Sequence, residues 1–220
     1  MDEFKDKVVL VTGAGRGAGK AIAEAFAARG AKVALNDISP VNVDEVLAQI
    51  TAGGGQARVY VDDVAKKVSV QAMINNLTDD WKRLDILVNC ANVEPHTPLL
   101  DLDEWDWHRT LDVNLTGAFL LTQSVGRVMR EQKGGVIVNV IPVAGRAEMP
   151  DRGAYVASKF GLAGLTRQAA LELEPYNIHV HAVCTGLPEL ATTEESHDDV
   201  AAAVLALCAD DSTGQIINIS

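Results

Sequence analysis

The chain is poor in cysteine, aromatic residues and positive charge, and each shortage narrows what it can be. Its 220 residues include three cysteines, Cys90, Cys184 and Cys208, an odd number at wide spacings. No Cys-x-x-Cys or comparable metal-ligand spacing occurs, so the cysteines read as buried, inert thiols rather than a disulfide or zinc framework. Only 5% of residues are aromatic, although 48% are hydrophobic. Lysine and arginine total 19 against 30 acids, a formal charge of -11. Nucleic acid and anionic membrane would both repel such a chain and are not expected partners. No apolar run is long enough to span a bilayer. The charged start, Met1 to Lys7, runs straight into a strand without the apolar stretch of a signal peptide. The expectation is a soluble cytoplasmic protein.

What the chain does have is alternation. Val8 to Val11 is a continuous apolar run of the kind found in a strand covered on both faces. Gly17 to Arg29 comes next, with apolar residues at helical spacing, and Gly30 is a natural stop. The rhythm repeats: strand Val33 to Leu35, helix Val43 to Ile50, strand Arg58 to Val61, helix Val68 to Thr78, strand Ile86 to Val88. A long helix from Leu115 to Arg130 precedes strand Val136 to Ile141, and another from Tyr155 to Leu173 precedes strand His179 to Val183. Helix Val200 to Cys208 and strand Ile216 to Ile219 close the pattern. Such alternation predicts an α/β fold, a doubly wound parallel sheet of about seven strands with helices on both faces. Ligands of such sheets bind at the carboxyl ends of the strands.

The first strand-to-helix connection reads Thr12-Gly13-Ala14-Gly15-Arg16-Gly17-Ala18-Gly19. Glycines let the backbone turn tightly and approach a pyrophosphate, while the amides of the next helix favour negative charge. Asp37, just past the second strand, stands where an acid accepts hydrogen bonds from ribose hydroxyls. A carboxylate there repels a 2′-phosphate and favours NAD over NADP. Arg16 pulls the other way, since a guanidinium in this turn can reach a phosphate.

That turn and four further features make up a resemblance to the short-chain dehydrogenase/reductase family over nearly the whole chain. The family's Thr-Gly-x-x-x-Gly-x-Gly turn is matched by Thr12, Gly13, Gly17 and Gly19. Its acid-aliphatic pair after the third strand is matched by Asp63 and Val64. Its Asn-Asn-Ala-Gly run after the fourth strand is matched by Asn89-Cys90-Ala91-Asn92, its helical asparagine by Asn114, and its Tyr-x-x-x-Lys pair by Tyr155 and Lys159. The resemblance implies one NAD(P)-binding Rossmann domain over 1–220. It implies catalysis by Tyr155, Lys159 and Asn114, and a cofactor held by Gly13, Arg16, Gly17, Ala18, Gly19, Asp37, Asp63, Val64, Asn89, Ala91, Tyr155, Lys159 and Gly186. It further implies a homodimer or homotetramer built on the two long helices, which are apolar over much of their surface.

The tyrosine-lysine pair also makes chemical sense by itself. Positions i and i+4 share a helix face, and a neighbouring ammonium would lower the phenol pKa from its usual ~10. Tyr155 would then exchange a proton with a hydroxyl or carbonyl while the cofactor exchanges a hydride.

The pattern breaks in three places. The family's catalytic serine, thirteen positions before the tyrosine, falls on Pro142, which offers neither a hydroxyl nor a backbone N–H. Asn92 replaces a glycine and is one alternative source of a donor. Thr185-Gly186 stands for Pro-Gly, and the segment after it, Leu187 to Asp199, is short for a substrate lid. Two readings stay open: an oxidoreductase acting on a small secondary alcohol or ketone, and a catalytically impaired NAD-binding protein serving as a sensor or assembly subunit. His179 and His181 share a strand face, but no carboxylate or cysteine is placed to complete a metal site. Trp105, Trp107 and His108 come after acids suited to the first turn of a helix.

Overall fold

A computed structural model describes residues 3–142, 149–185 and 194–219. Seven strands form one parallel sheet: β1 (Val8–Thr12), β2 (Lys32–Asp37), β3 (Gln56–Val61), β4 (Ile86–Asn89), β5 (Gly135–Pro142), β6 (Ile178–Thr185) and β7 (Ile216–Asn218). Their order is β3-β2-β1-β4-β5-β6-β7, the Rossmann arrangement. The chain leaves β1 towards β2 on one side and pairs with β4 on the other, so a crevice opens beyond the carboxyl ends of β1 and β4.

The apolar runs behave as two-faced strands. Val9 and Val11 of β1 face one core, while Val8 and Leu10 face the other. The first core is covered by α1 (Gly17–Ala27), α2 (Pro40–Ala52) and α7 (Glu194–Cys208). The second is covered by α3 (Lys67–Trp81), α5 (Ala118–Gln132) and α6 (Gly153–Leu173). Local chemistry starts some of these helices. Ser39 caps α2, with Pro40 at a position that tolerates it, and Asp103 accepts from the Asp106 amide at the start of α4 (Glu104–Leu111).

Every strand and helix expected from the apolar pattern is present, with some bounds moved. The helix expected over Leu115 to Arg130 is the later part of a longer run. α4 continues into a π-helical turn, Asp112–Gly117, and then into α5. The charged segment 104–111 carries little apolar periodicity, and a π turn shifts the helical phase of the residues after it. α7 begins at Glu194, six residues earlier than its apolar stripe. Among the described residues, no helix is long and apolar enough to cross a membrane. The glycine expected to touch the cofactor after β6, Gly186, and most of the short segment after it lie outside the described residues.

Candidate active site

The crevice is a cleft of about 400 Å³ walled by the glycine-rich turn, the ends of β2 and β3, the loop after β4, and α7. Gly13, Arg16, Gly17, Ala18 and Gly19 line it, as do Asp37, Asp63, Val64 and Ala91. Nine residues expected from sequence to hold a cofactor are thus on one surface.

The turn is built to keep this surface open. Gly17 has φ +55°, a left-handed conformation that side chains disfavour. A Cβ on Gly19 would lie 2.1 Å from the Gly13 carbonyl oxygen, so helix and turn pack at a distance only glycine allows. The start of α1 has no side-chain cap, and its first turn has no acid. An uncapped helix N-terminus facing a cleft is a natural seat for a phosphate. The Asp37 carboxylate fixes the turn's far side, accepting from the Gly15 amide at 3.0 Å and the Ser39 amide at 3.0 Å. Its oxygens still have capacity for further donors.

At the other end of the cleft, Asp63 accepts from the Ala65 amide at 3.0 Å and pairs with Arg109 at 3.1 Å. Arg109, on α4, is a cleft residue that the sequence pattern did not reveal. So are Thr185 and His197. Their partners and neighbours come from distant parts of the chain, and no local spacing marks them.

The loop after β4 is clamped from both sides. The Thr12 hydroxyl accepts from the Cys90 and Ala91 amides at 3.0 and 3.1 Å. Asn114, in the π turn, accepts from the Val93 amide at 2.8 Å and donates to the Val93 carbonyl at 2.8 Å. It also donates to the Ser158 hydroxyl, 3.1 Å away on α6. Asn114 therefore holds the loop after β4 against the helix that carries Tyr155. Asn89 is placed differently from the other expected residues. Its side chain is buried and donates to Asn139 at 2.8 Å, joining β4 to β5 away from the cleft wall.

Tyr155 and Lys159 lie on one face of α6, with the Lys159 ammonium 5.3 Å from the Tyr155 ring centre. The pair is 1% and 2% exposed, and this reverses the expected effect of the lysine. Tyr155 has its pKa raised, not lowered: burial penalises the phenolate first, and Glu94 adds repulsion. Arg152 and the Asn92 carboxamide oppose these effects without overcoming them. Burial likewise pushes Lys159 down to about 8. Glu94 and Arg152 form an ion pair beside Tyr155, and the Thr97 amide donates to the Asp151 carbonyl at 2.7 Å. These contacts join the loop after β4 to the start of α6.

Among the cysteines, Cys184 is buried, while Cys90 and Cys208 are only partly so. Cys90 is in the cleft wall, its thiol pushed up to about 11 by burial. Pro142 ends β5 and is paired in register with Thr185 of β6.

Residues 7–201 match the short chain dehydrogenase family. The chain belongs to this family. An uncharacterized oxidoreductase of Thermotoga maritima is 44% identical over 183 residues, 83% of this chain and 72% of the relative. A metagenomic short-chain oxidoreductase in complex with NADP superposes with a TM-score of 0.91 at 31% identity, over 99% of each chain. An NAD+-bound xylitol dehydrogenase gives a TM-score of 0.90 at 30% identity, over 98% of each chain. The short-chain dehydrogenases are oxidoreductases that bind NAD(P), and the chemistry class of this chain is known at that level.

Proposed function

We propose that this chain interconverts a small secondary alcohol and its ketone with NAD(H), using Tyr155 as proton donor and acceptor. The observation that carries this reading is the pairing of Tyr155 with Lys159 on α6, which Asn114 and Ser158 tie to the cleft-lining loop after β4. The cleft suits a dinucleotide. The amides of the uncapped α1 N-terminus would bind its diphosphate, with Arg16 nearby. Asp37 would accept from the adenosine ribose and disfavour a 2′-phosphate, the basis for preferring NAD. Asp63 and Val64 would hold the adenine, and the chain at Ala91 would flank the nicotinamide end. When bound, the nicotinamide supplies or accepts a hydride.

The residues of the chain handle the proton. With its pKa raised, Tyr155 keeps its proton at neutral pH and can deliver it from Oη to a carbonyl oxygen. Lys159, packed against the ring, would hold the nicotinamide ribose and stabilise the phenolate left behind. Asn114 keeps the loop and α6 in register for this step. The name of the xylitol dehydrogenase neighbour suits a small hydroxylated substrate. Nothing in the comparisons favours the sensor reading. We further infer a homo-oligomer formed through α5 and α6, where Phe119, Phe160 and Leu171 are exposed.

Fluorescence titration with NADH and NADPH, then NADH oxidation against a panel of small ketones, tests the proposal. Tighter binding of NADH and turnover of at least one ketone are expected. A protein that binds NADH but reduces none of them, while Pro142→Ser does, would sink the reading for the natural chain.

A further inference from the structure

We propose that His197 is a ligand of the cofactor's diphosphate, its imidazole donating a hydrogen bond across the glycine-rich turn. The inference rests on the dehydrogenase reading above and adds to its cofactor site a residue from the far end of the chain.

α7 brings the imidazole to the turn. Its Nε2 lies 3.6 Å, and its Cε1 3.7 Å, from where a Cβ on Gly17 would stand. The Nε2 edge of the ring therefore faces the first residue of α1, and His197, Gly17 and Ala18 line the same cleft. That helix start has no side-chain cap and no acid in its first turn, so its first amides have no partner within the helix. A diphosphate seated on those amides meets the imidazole edge. With a proton on Nε2 the ring is a donor, and the oxygens of a diphosphate are acceptors.

The distribution of charge points the same way. The chain has a formal charge of -11, yet the side chains of Arg16 and His197 both line this part of the cleft without a hydrogen bond or ion pair among the described residues. Arg109, at the other end, is by contrast paired with Asp63. The nearest acid of the turn, Asp37, accepts from the Gly15 and Ser39 amides and from neither basic side chain. Basic groups left unpaired in an acidic protein, beside a helix start, favour an anion there. Elsewhere in the same wall, the Thr185 hydroxyl is buried and has no hydrogen-bond partner among the described residues. The cleft thus presents several polar groups that the chain itself does not satisfy.

Packing fixes the imidazole where it stands. Val200, Ala201 and Val204 of α7 share one core with Ile22, Ala23 and Phe26 of α1, so the two helices that flank the diphosphate seat are held together. A donor on a packed helix needs little ordering when the ligand arrives. Two competing roles remain for His197: packing against Gly17 alone, and contact with the nicotinamide end of the cofactor.

The test measures binding and needs no turnover. Titration calorimetry with NADH and with ADP-ribose, which keeps the diphosphate but lacks the nicotinamide, compares wild type, His197→Ala, His197→Phe and His197→Gln. Phenylalanine keeps a ring against Gly17 without a donor, and glutamine restores a donor without the ring. His197→Ala and His197→Phe should each raise Kd roughly tenfold, by the same factor for both ligands, and His197→Gln should recover part of the loss. The Kd of adenosine, which has no phosphate, read by displacement of NADH, should be the same in wild type and His197→Phe. Urea midpoints of the free proteins check that each variant keeps its fold. Unchanged ADP-ribose affinity in His197→Ala and His197→Phe would overturn the proposal. A loss in His197→Ala that His197→Phe repairs would overturn it in favour of packing, and a loss for NADH alone would move the contact to the nicotinamide end. An equal loss for adenosine would overturn it too, because the turn as a whole would then have changed. A wild type that binds NADH and ADP-ribose but reduces no ketone defeats the dehydrogenase reading, while the affinities still decide His197. A wild type that binds neither nucleotide defeats both.

Discussion

The Lys159 ammonium lies 5.3 Å from the centre of the Tyr155 ring, one helical turn away, and both side chains are almost wholly withdrawn from water. Each therefore carries a desolvation cost in its charged form, and the two costs have opposite pH dependence.

Lys159 has a pKa of about 8 in the folded chain against an ordinary 10.5. Between those values the unfolded chain binds more protons, so this group makes stability rise with pH across that window. Its penalty is full below about pH 8. Removing the amine with Lys159→Met should stabilise the cofactor-free protein at pH 7 by a few kcal/mol at most, a gain that fades towards pH 10.5. Urea unfolding at pH 7 and pH 10 measures it; a lower midpoint at pH 7 would contradict the desolvation argument. Tyr155 acts in the opposite sense. Above its ordinary 10.0 the unfolded chain loses a proton that the folded chain keeps, so its contribution falls as pH rises further.

The same raised pKa separates the two reaction directions. Ketone reduction needs the protonated phenol, whereas alcohol oxidation needs the phenolate. Oxidation should climb with pH through about 10, and reduction should hold steady through neutral pH. Steady-state rates in both directions at matched pH decide this; a plateau in oxidation below pH 8 would show a tyrosine with a lowered pKa.

Asn114→Ala should cost about 2–4 kcal/mol, because it strands the amide and carbonyl of Val93 and removes the bond to Ser158. Thermal or urea unfolding gives the number. A loss below about 0.5 kcal/mol would mean that water replaces all three contacts.

Asp37→Ser removes the acid that accepts from Gly15 and Ser39 and that, in the proposed reading, repels a 2′-phosphate. NADH affinity should fall roughly tenfold, with NADPH affinity unchanged or improved. Equal losses for both cofactors would assign Asp37 to holding the turn alone.

Phe119 and Phe160 are 43% and 54% exposed on α5 and α6. If these helices form the subunit interface, Phe119→Glu with Phe160→Glu should yield a monomer by sedimentation while NADH binding persists. An unchanged assembly would move the interface elsewhere.

The sequence by itself determined the order of strands and helices, because apolar periodicity is a local property that each segment carries independently. It determined the glycine turn and the spacing of Tyr155 and Lys159 for the same reason. The tertiary structure alone decided which distant residues meet: Thr12 with Cys90 and Ala91, Asp63 with Arg109, Glu94 with Arg152. It joined Asn89 to Asn139 and Asn114 to Ser158. It also reversed the sign of the tyrosine's pKa shift. The i, i+4 spacing counts the neighbouring charge, but burial, which sets the cost of charging the phenol, depends on everything packed around it.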